Sequence, residues 1–118
     1  MLVLDDQRVV VDVAEEILQR RGYIVLKAYT GEEALQKLDE VKPNIVLCDI
    51  LLGNDTTGYD VMGSARKKGY KGPFIFMSAL DKSTEALSKG GRGYIRKPFD
   101  DKLPQVIANV LAGEAGAL

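Results

Sequence analysis

Five short apolar runs, each followed by a stretch whose apolar residues recur at helical spacing, occupy the chain from end to end. The runs are Leu2–Leu4, Ile24–Ala28, Asn44–Cys48, Phe74–Met77 and Gly93–Ile95. A strand that is apolar throughout, not alternating, is buried on both faces. Amphipathic segments between such strands supply the covering helices through right-handed crossovers. The pattern therefore predicts a βαβαβαβαβα chain folded as a doubly wound α/β domain with a parallel sheet. In such folds ligands bind beyond the carboxyl ends of the strands, close to where the strand order reverses.

The intervening segments read as helices with identifiable ends. Val9, Val10, Val13, Ile17 and Leu18 are the expected inner face of the first, which Gly22 stops. Thr30 is placed to cap the second, with Glu32 and Glu33 in its first turn and Ala34, Leu35 and Leu38 inward, and Pro43 bars its extension. A polar loop from Gly53 to Gly58 precedes a helix presenting Val61, Met62 and Ala65. Ser83 to Lys89 is a short helix, and a last helix runs from about Lys102 to Ala112. Its first turn tolerates Pro104, and its core stripe is Leu103, Val106, Ile107, Val110 and Leu111.

Composition narrows the function. A chain of 118 residues, 46% hydrophobic and free of internal repeats or linkers, is expected to form one domain over 1–118. Its 16 basic and 17 acidic residues leave a net charge of -1, which gives no general attraction to nucleic acid or an anionic membrane. There is no histidine, so imidazole catalysis and histidine metal ligands are excluded. The one cysteine, Cys48, has no partner for an internal disulfide. With no signal peptide or long apolar run, the expected compartment is the cytoplasm.

Reactive groups stand at the expected strand ends: Asp5 and Asp6 after the first strand, Asp49 after the third, Ser78 after the fourth and Lys97 after the fifth. Each alone has an ordinary explanation as a cap, a turn or a solvated charge. Together they describe converging carboxylates that would repel one another without a cation, and Mg²⁺ prefers such an all-oxygen set. Cys48, one residue before Asp49, should face the other side of the sheet and simply pack.

Leu2-Val3-Leu4-Asp5-Asp6, Ile45-Val46-Leu47-Cys48-Asp49, Met77-Ser78-Ala79 and Lys97-Pro98-Phe99 occur in the order found in response regulator receiver domains of two-component systems. Gly31-Glu32-Glu33-Ala34-Leu35 and Pro43-Asn44-Ile45-Val46 resemble the family's connecting segments, so the similarity covers nearly the whole chain. The resemblance implies the flavodoxin-like receiver fold, five parallel strands in the order 2-1-3-4-5. It also implies that Asp49 accepts a phosphoryl group, that Asp5, Asp6, Asp49 and the Leu51 carbonyl hold Mg²⁺, and that Lys97 supplies a fixed positive charge. By the same resemblance Ser78 bonds a phosphoryl oxygen, Tyr94 swings inward after it, and Pro98 follows a cis peptide bond. Taken by itself, Tyr94 would more often be a half-buried aromatic on an edge strand. The implied partners are a sensor histidine kinase or phosphotransfer protein and an output protein or domain, with a phosphorylation-dependent homodimer as a further option.

Two departures stand out. Gly53 occupies the place where receivers usually carry proline, and Gly58 stands one residue late, so the loop after Asp49 is longer and is expected to be looser. Ser78 and Lys97 are 19 residues apart, shorter than in receivers by about three residues, close to one helical turn. The fourth helix should be cut short, next to the glycine-rich turn Gly90-Gly91-Arg92-Gly93. Leu51 and Leu80 flank the acceptor and are expected to shield a phosphoryl group, giving slow self-hydrolysis. A constitutive interaction module with the same fold is the first alternative to a phosphorylation switch. A phosphohydrolase with an aspartyl-phosphate intermediate is the second, although Leu51 stands where such enzymes commonly carry their second acid.

Overall fold

A computed structural model describes residues 1–113 and the backbone of 116 and 117. Its elements in chain order are β1 (Leu2–Leu4), α1 (Arg8–Gln19), β2 (Leu26–Ala28), α2 (Gly31–Val41), β3 (Val46–Asp49), α3 (Gly58–Lys67), β4 (Phe74–Ser78), α4 (Ser83–Ser88), β5 (Gly93–Arg96), α5 (Leu103–Leu111) and β6 (Gly116–Ala117). The strands β2-β1-β3-β4-β5 form the expected parallel sheet in the expected order, and the two-residue β6 adds to the outer side of β5.

The sheet is covered on both faces, which is why its central strands are apolar throughout. Val3, Leu47, Ile75, Met77 and Ile95 face α1 and α5. Leu2, Leu4, Val46, Cys48, Phe74, Phe76 and Tyr94 face α2, α3 and α4. Successive side chains of β3 and β4 thus alternate between two apolar layers. Cys48 packs in the second of these, as expected.

Helix ends follow local chemistry. The Thr30 side chain accepts from the Glu33 amide at 3.1 Å, and α2 stops where Lys42 turns left-handed just before Pro43. Thr57 and Asp60 close a reciprocal capping box on α3, at 3.2 and 2.9 Å. α4 has six residues and no side-chain cap, matching the shortened fourth helix expected from the spacing. Gly91 makes the abrupt return to β5 feasible: a Cβ there would lie 2.7 Å from the Phe76 ring and 2.8 Å from the Ala86 carbonyl.

Three sequence expectations about faces and bounds are corrected. The sheet-facing line of α1 is Val11, Ala14 and Leu18, whereas Val9 is 68% and Val13 42% exposed. Ala14 lies between Val11 and Leu18 on that line, and Val9 and Val13, both ahead of Ala14 in the helix, are turned outward. Leu111, the last residue of α5, is 40% exposed and lies outside the core stripe. β2 begins at Leu26, leaving Ile24 exposed, and β3 and β4 extend one residue further, to Asp49 and Ser78. Those two site residues are therefore ladder positions at the strand ends, not loop residues.

Candidate functional site

Strand register gathers the polar residues at one end of the sheet. Leu4 lies opposite Cys48, so Asp5 and Asp49 emerge side by side; Asp49 lies opposite Met77, which puts Ser78 beside Ile50. The Ile50 amide donates to the Met77 carbonyl at 3.0 Å, and the Lys97 amide to the Ser78 carbonyl at 2.7 Å, carrying the alignment one step past the ladder.

Asp5 is fully buried, with one carboxylate oxygen accepting from the Gln7 amide at 2.9 Å. Its other oxygen accepts from Lys97 Nζ at 3.0 Å, and the same ammonium lies 3.2 Å from Asp49 Oδ1. Asp49 is 6% exposed, while Asp6 is open to solvent at the rim. One ligand atom from each of Asp5, Asp6 and Asp49 falls within a set whose members are at most 4.8 Å apart. The expected trio of carboxylates is thus together, with Lys97 among them. The Lys97–Pro98 peptide is cis, as the resemblance implies.

Crowding and burial disfavour the charge of the two buried carboxylates. Burial, then the charge of Asp5, pushes the Asp49 carboxyl up to about 6, although Lys97 pulls the other way. Burial likewise raises Asp5 against the bonds from Gln7 and Lys97. For Lys97, burial works against the charge, yet the hydrogen bond to Asp5 and the charges of Asp49 and Asp5 outweigh it and raise the ammonium. Burial, followed by the charge of Asp49, pushes the Cys48 thiol well up, so it is an inert neighbour.

The Ser78 hydroxyl oxygen accepts from the Leu80 amide at 3.2 Å, a bond that leaves its own hydrogen free to donate. Tyr94 is buried beneath the β4–α4 loop at 1% exposure. Its hydroxyl donates to the Leu80 carbonyl and accepts from the Lys82 amide at 3.3 Å. The half-buried edge position expected from the sequence alone is therefore wrong: β5 is flanked by β6, and the ring belongs to the core. The inward position that the resemblance assigns to the phosphorylated form is already occupied.

The loop after Asp49 is long but internally bonded. Leu51 bridges Thr57, the Leu52 amide donates to the Thr56 carbonyl at 3.0 Å, and the turn passes through left-handed Asn54 and Asp55. The expected looseness thus meets a closed antiparallel turn. Leu51 and Leu80 are 67% and 61% exposed, so they stand at the rim of the cleft and do not roof it.

Tyr59 was not among the expected site residues, and Gly58 was expected only as the late glycine of the loop. Gly58 packs directly under the acceptor: its amide donates to the Ile50 carbonyl at 2.7 Å, and a Cβ would lie 2.4 Å from the Asp49 carbonyl oxygen. Tyr59 and Lys82 line the cleft with Asp49, Ser78 and Lys97. Only the glycine one place late hinted at this, because the contacts join residues far apart in the chain.

Comparison with known proteins agrees with this geometry. The chain belongs to the response regulator receiver domain family, whose model matches residues 1–108. Solved structures share the fold. A two-component response regulator of the LuxR family from Aurantimonas sp. is 28% identical, with TM-score 0.87 over 99% of this chain and 86% of its own. A putative response regulator from Chloroflexus aurantiacus is 29% identical, with TM-score 0.82 over 94% and 95%. Vibrio cholerae chemotaxis protein CheY4 is 24% identical, with TM-score 0.83 over 92% and 95%, and supports the fold alone. Receiver domains are generally non-enzymatic signalling modules, they bind Mg²⁺ at an acidic pocket, and they work with histidine kinases or phosphotransfer proteins and with output domains. Among the described residues, no helix is long and apolar enough to cross a membrane.

Proposed function

We propose that this chain is a phosphorylation-activated switch. Asp49 takes a phosphoryl group from the phosphohistidine of a sensor kinase or phosphotransfer protein, and the face formed by α4, β5 and α5 then changes its partner. The observation that carries the reading is Lys97 Nζ bridging the two buried carboxylates, 3.0 Å from Asp5 and 3.2 Å from Asp49, with Asp6 at the rim. Two buried carboxylates sharing one ammonium, with a third carboxylate at the rim, are an oxygen-donor set with surplus negative charge, which fits a divalent cation. Asp5, Asp6 and Asp49, with the Leu51 carbonyl that the resemblance adds, would hold Mg²⁺. When bound, it supplies screening of the negative charge on the transferring phosphoryl oxygens.

The chain's own residues do the rest. One oxygen of the Asp49 carboxylate, whose ionised form Lys97 favours against burial, attacks phosphorus. The phosphorus–nitrogen bond breaks, and its electron pair leaves with the donor's imidazole. Lys97, raised by its carboxylate neighbours, stays charged and stabilises the transferred oxygens. The free Ser78 hydrogen is available to one of those oxygens. The reading takes 1–118 as one receiver unit in the cytoplasm, without direct contact to nucleic acid or membrane, and leaves room for a homodimer formed on phosphorylation.

One observation favours a second reading, a constitutive interaction module: Tyr94 is already inward and bonded to the Leu80 carbonyl. A titration with Mg²⁺ and beryllofluoride followed by NMR separates the two. A switch gives shifts at Asp49, Ser78 and Lys97 that extend to α4, β5 and α5. Shifts confined to the cleft, with partner binding unaltered, support the constitutive module.

A further inference from the structure

We infer that Tyr59 is a positioning residue that ties α4 to the end of the acceptor strand, a second route from Asp49 to the partner face besides Ser78 and Tyr94; its role in the switch rests on the function proposed above. The six residues of α4, without a side-chain cap and with Ala86 alone fully buried, are too few to hold a helix by local propensity. Its place must be set by tertiary contacts.

Two tyrosine hydroxyls provide them. Tyr94 holds the start of α4 by accepting from the Lys82 amide at 3.3 Å. Tyr59 holds its middle by donating to Glu85 Oε2 at 3.0 Å. The Tyr59 ring stands edge-on to Phe76 with centroids 4.8 Å apart, and Lys89 Nζ lies 5.1 Å from its centroid. Burial and the adjoining Glu85 push the phenol well up, so it stays a donor at neutral pH.

The other end of the route is Gly58. With its amide on the Ile50 carbonyl and no space for a Cβ beside the Asp49 carbonyl, the first turn of α3 must follow any shift of the acceptor strand. Tyr59 is the next residue, and Glu85 is what it grips.

Hydrogen exchange and beryllofluoride titration on Y59F, E85A, E85Q and the double variant Y59F/E85A test this. Y59F keeps the ring and removes only the hydroxyl, whereas E85Q keeps an acceptor. The amides of Ala86, Lys89 and Gly91, which bond to the carbonyls of Lys82, Glu85 and Ala86, report on α4. They should exchange about five-fold faster or more in Y59F and E85A, near the wild-type rate in E85Q, and no faster in the double variant than in either single one. With Mg²⁺ and beryllofluoride, the shift response of α4 relative to that of β3 and β4 should fall by about half or more in Y59F. Unchanged exchange in Y59F, or additive effects in the double variant, would overturn the hold on α4. Faster exchange with a full α4 response would overturn the coupling. A wild-type protein that ignores beryllofluoride overturns the Asp49 reading and with it the coupling, and exchange alone then decides whether Tyr59 holds α4.

Discussion

Asp49 and Asp5 share one ammonium inside the protein, and that arrangement fixes how the metal-free fold responds to pH. The folded value of Asp49, about 6, lies above its ordinary 3.8, so the folded state binds the proton more tightly than the unfolded chain does. This contribution is complete below 3.8 and is lost as pH rises through about 6. Asp5 acts in the same direction. Lys97, raised above 10.5, contributes stability that is lost only as pH climbs through its still higher folded value. Urea unfolding in EDTA should therefore show stability falling between about pH 4 and pH 6 and the fall shrinking when Mg²⁺ is added. Asn at position 49 should stabilise the metal-free protein at neutral pH by ~1–2 kcal/mol, since it removes a carboxylate that burial disfavours. A loss of stability in D49N would mean that the attraction to Lys97 exceeds that penalty.

At the scale of elements, α3 offers a direct comparison of two glycines. Gly58 has the Asp49 carbonyl, the Cys48 sulfur and the Phe76 ring within 2.4, 2.9 and 3.1 Å of a would-be Cβ, whereas Gly63 has nothing within 4 Å. Gly58→Ala should cost ~1–3 kcal/mol by overpacking. Gly63→Ala should add ~0.5–1 kcal/mol, because alanine is the better helix former. Equal effects in chemical denaturation would contradict the proposed contact. Helix identity was readable from Thr30, Pro43 and the apolar spacing, because caps and breakers act locally. The buried line of α1 was not: Val9, Val10, Val11 and Val13 are all apolar, so spacing alone could not choose among faces, and contact with the sheet did. Tyr94 and Tyr59 were misjudged or missed for a related reason. Their partners, Leu80, Lys82 and Glu85, lie 12 to 26 residues away in sequence.

Across the whole molecule, the candidate site was legible because parallel strands put their last residues on one rim, and Asp5, Asp49, Ser78 and Lys97 could be read as strand ends before any contact was known. β6 was not legible: Gly116 and Ala117 carry no strand signal, and only the sheet edge gives them a partner. The rim gathers negative charge that the fold alone does not neutralise, so Mg²⁺ should stabilise the entire domain. At one hundred times its dissociation constant the gain is about 2.7 kcal/mol, readable as a concentration-dependent rise in melting temperature. The rise should be smaller in an Asp6→Asn variant, since Asp6 is the rim member of the trio.

The central claim, that Asp49 is the phosphoacceptor, is tested most directly by intact-mass measurement after incubation with acetyl phosphate. The expected result is one added phosphoryl group on the wild-type chain in Mg²⁺, none in EDTA and none on D49N in either condition. Undiminished labelling of D49N would contradict the account.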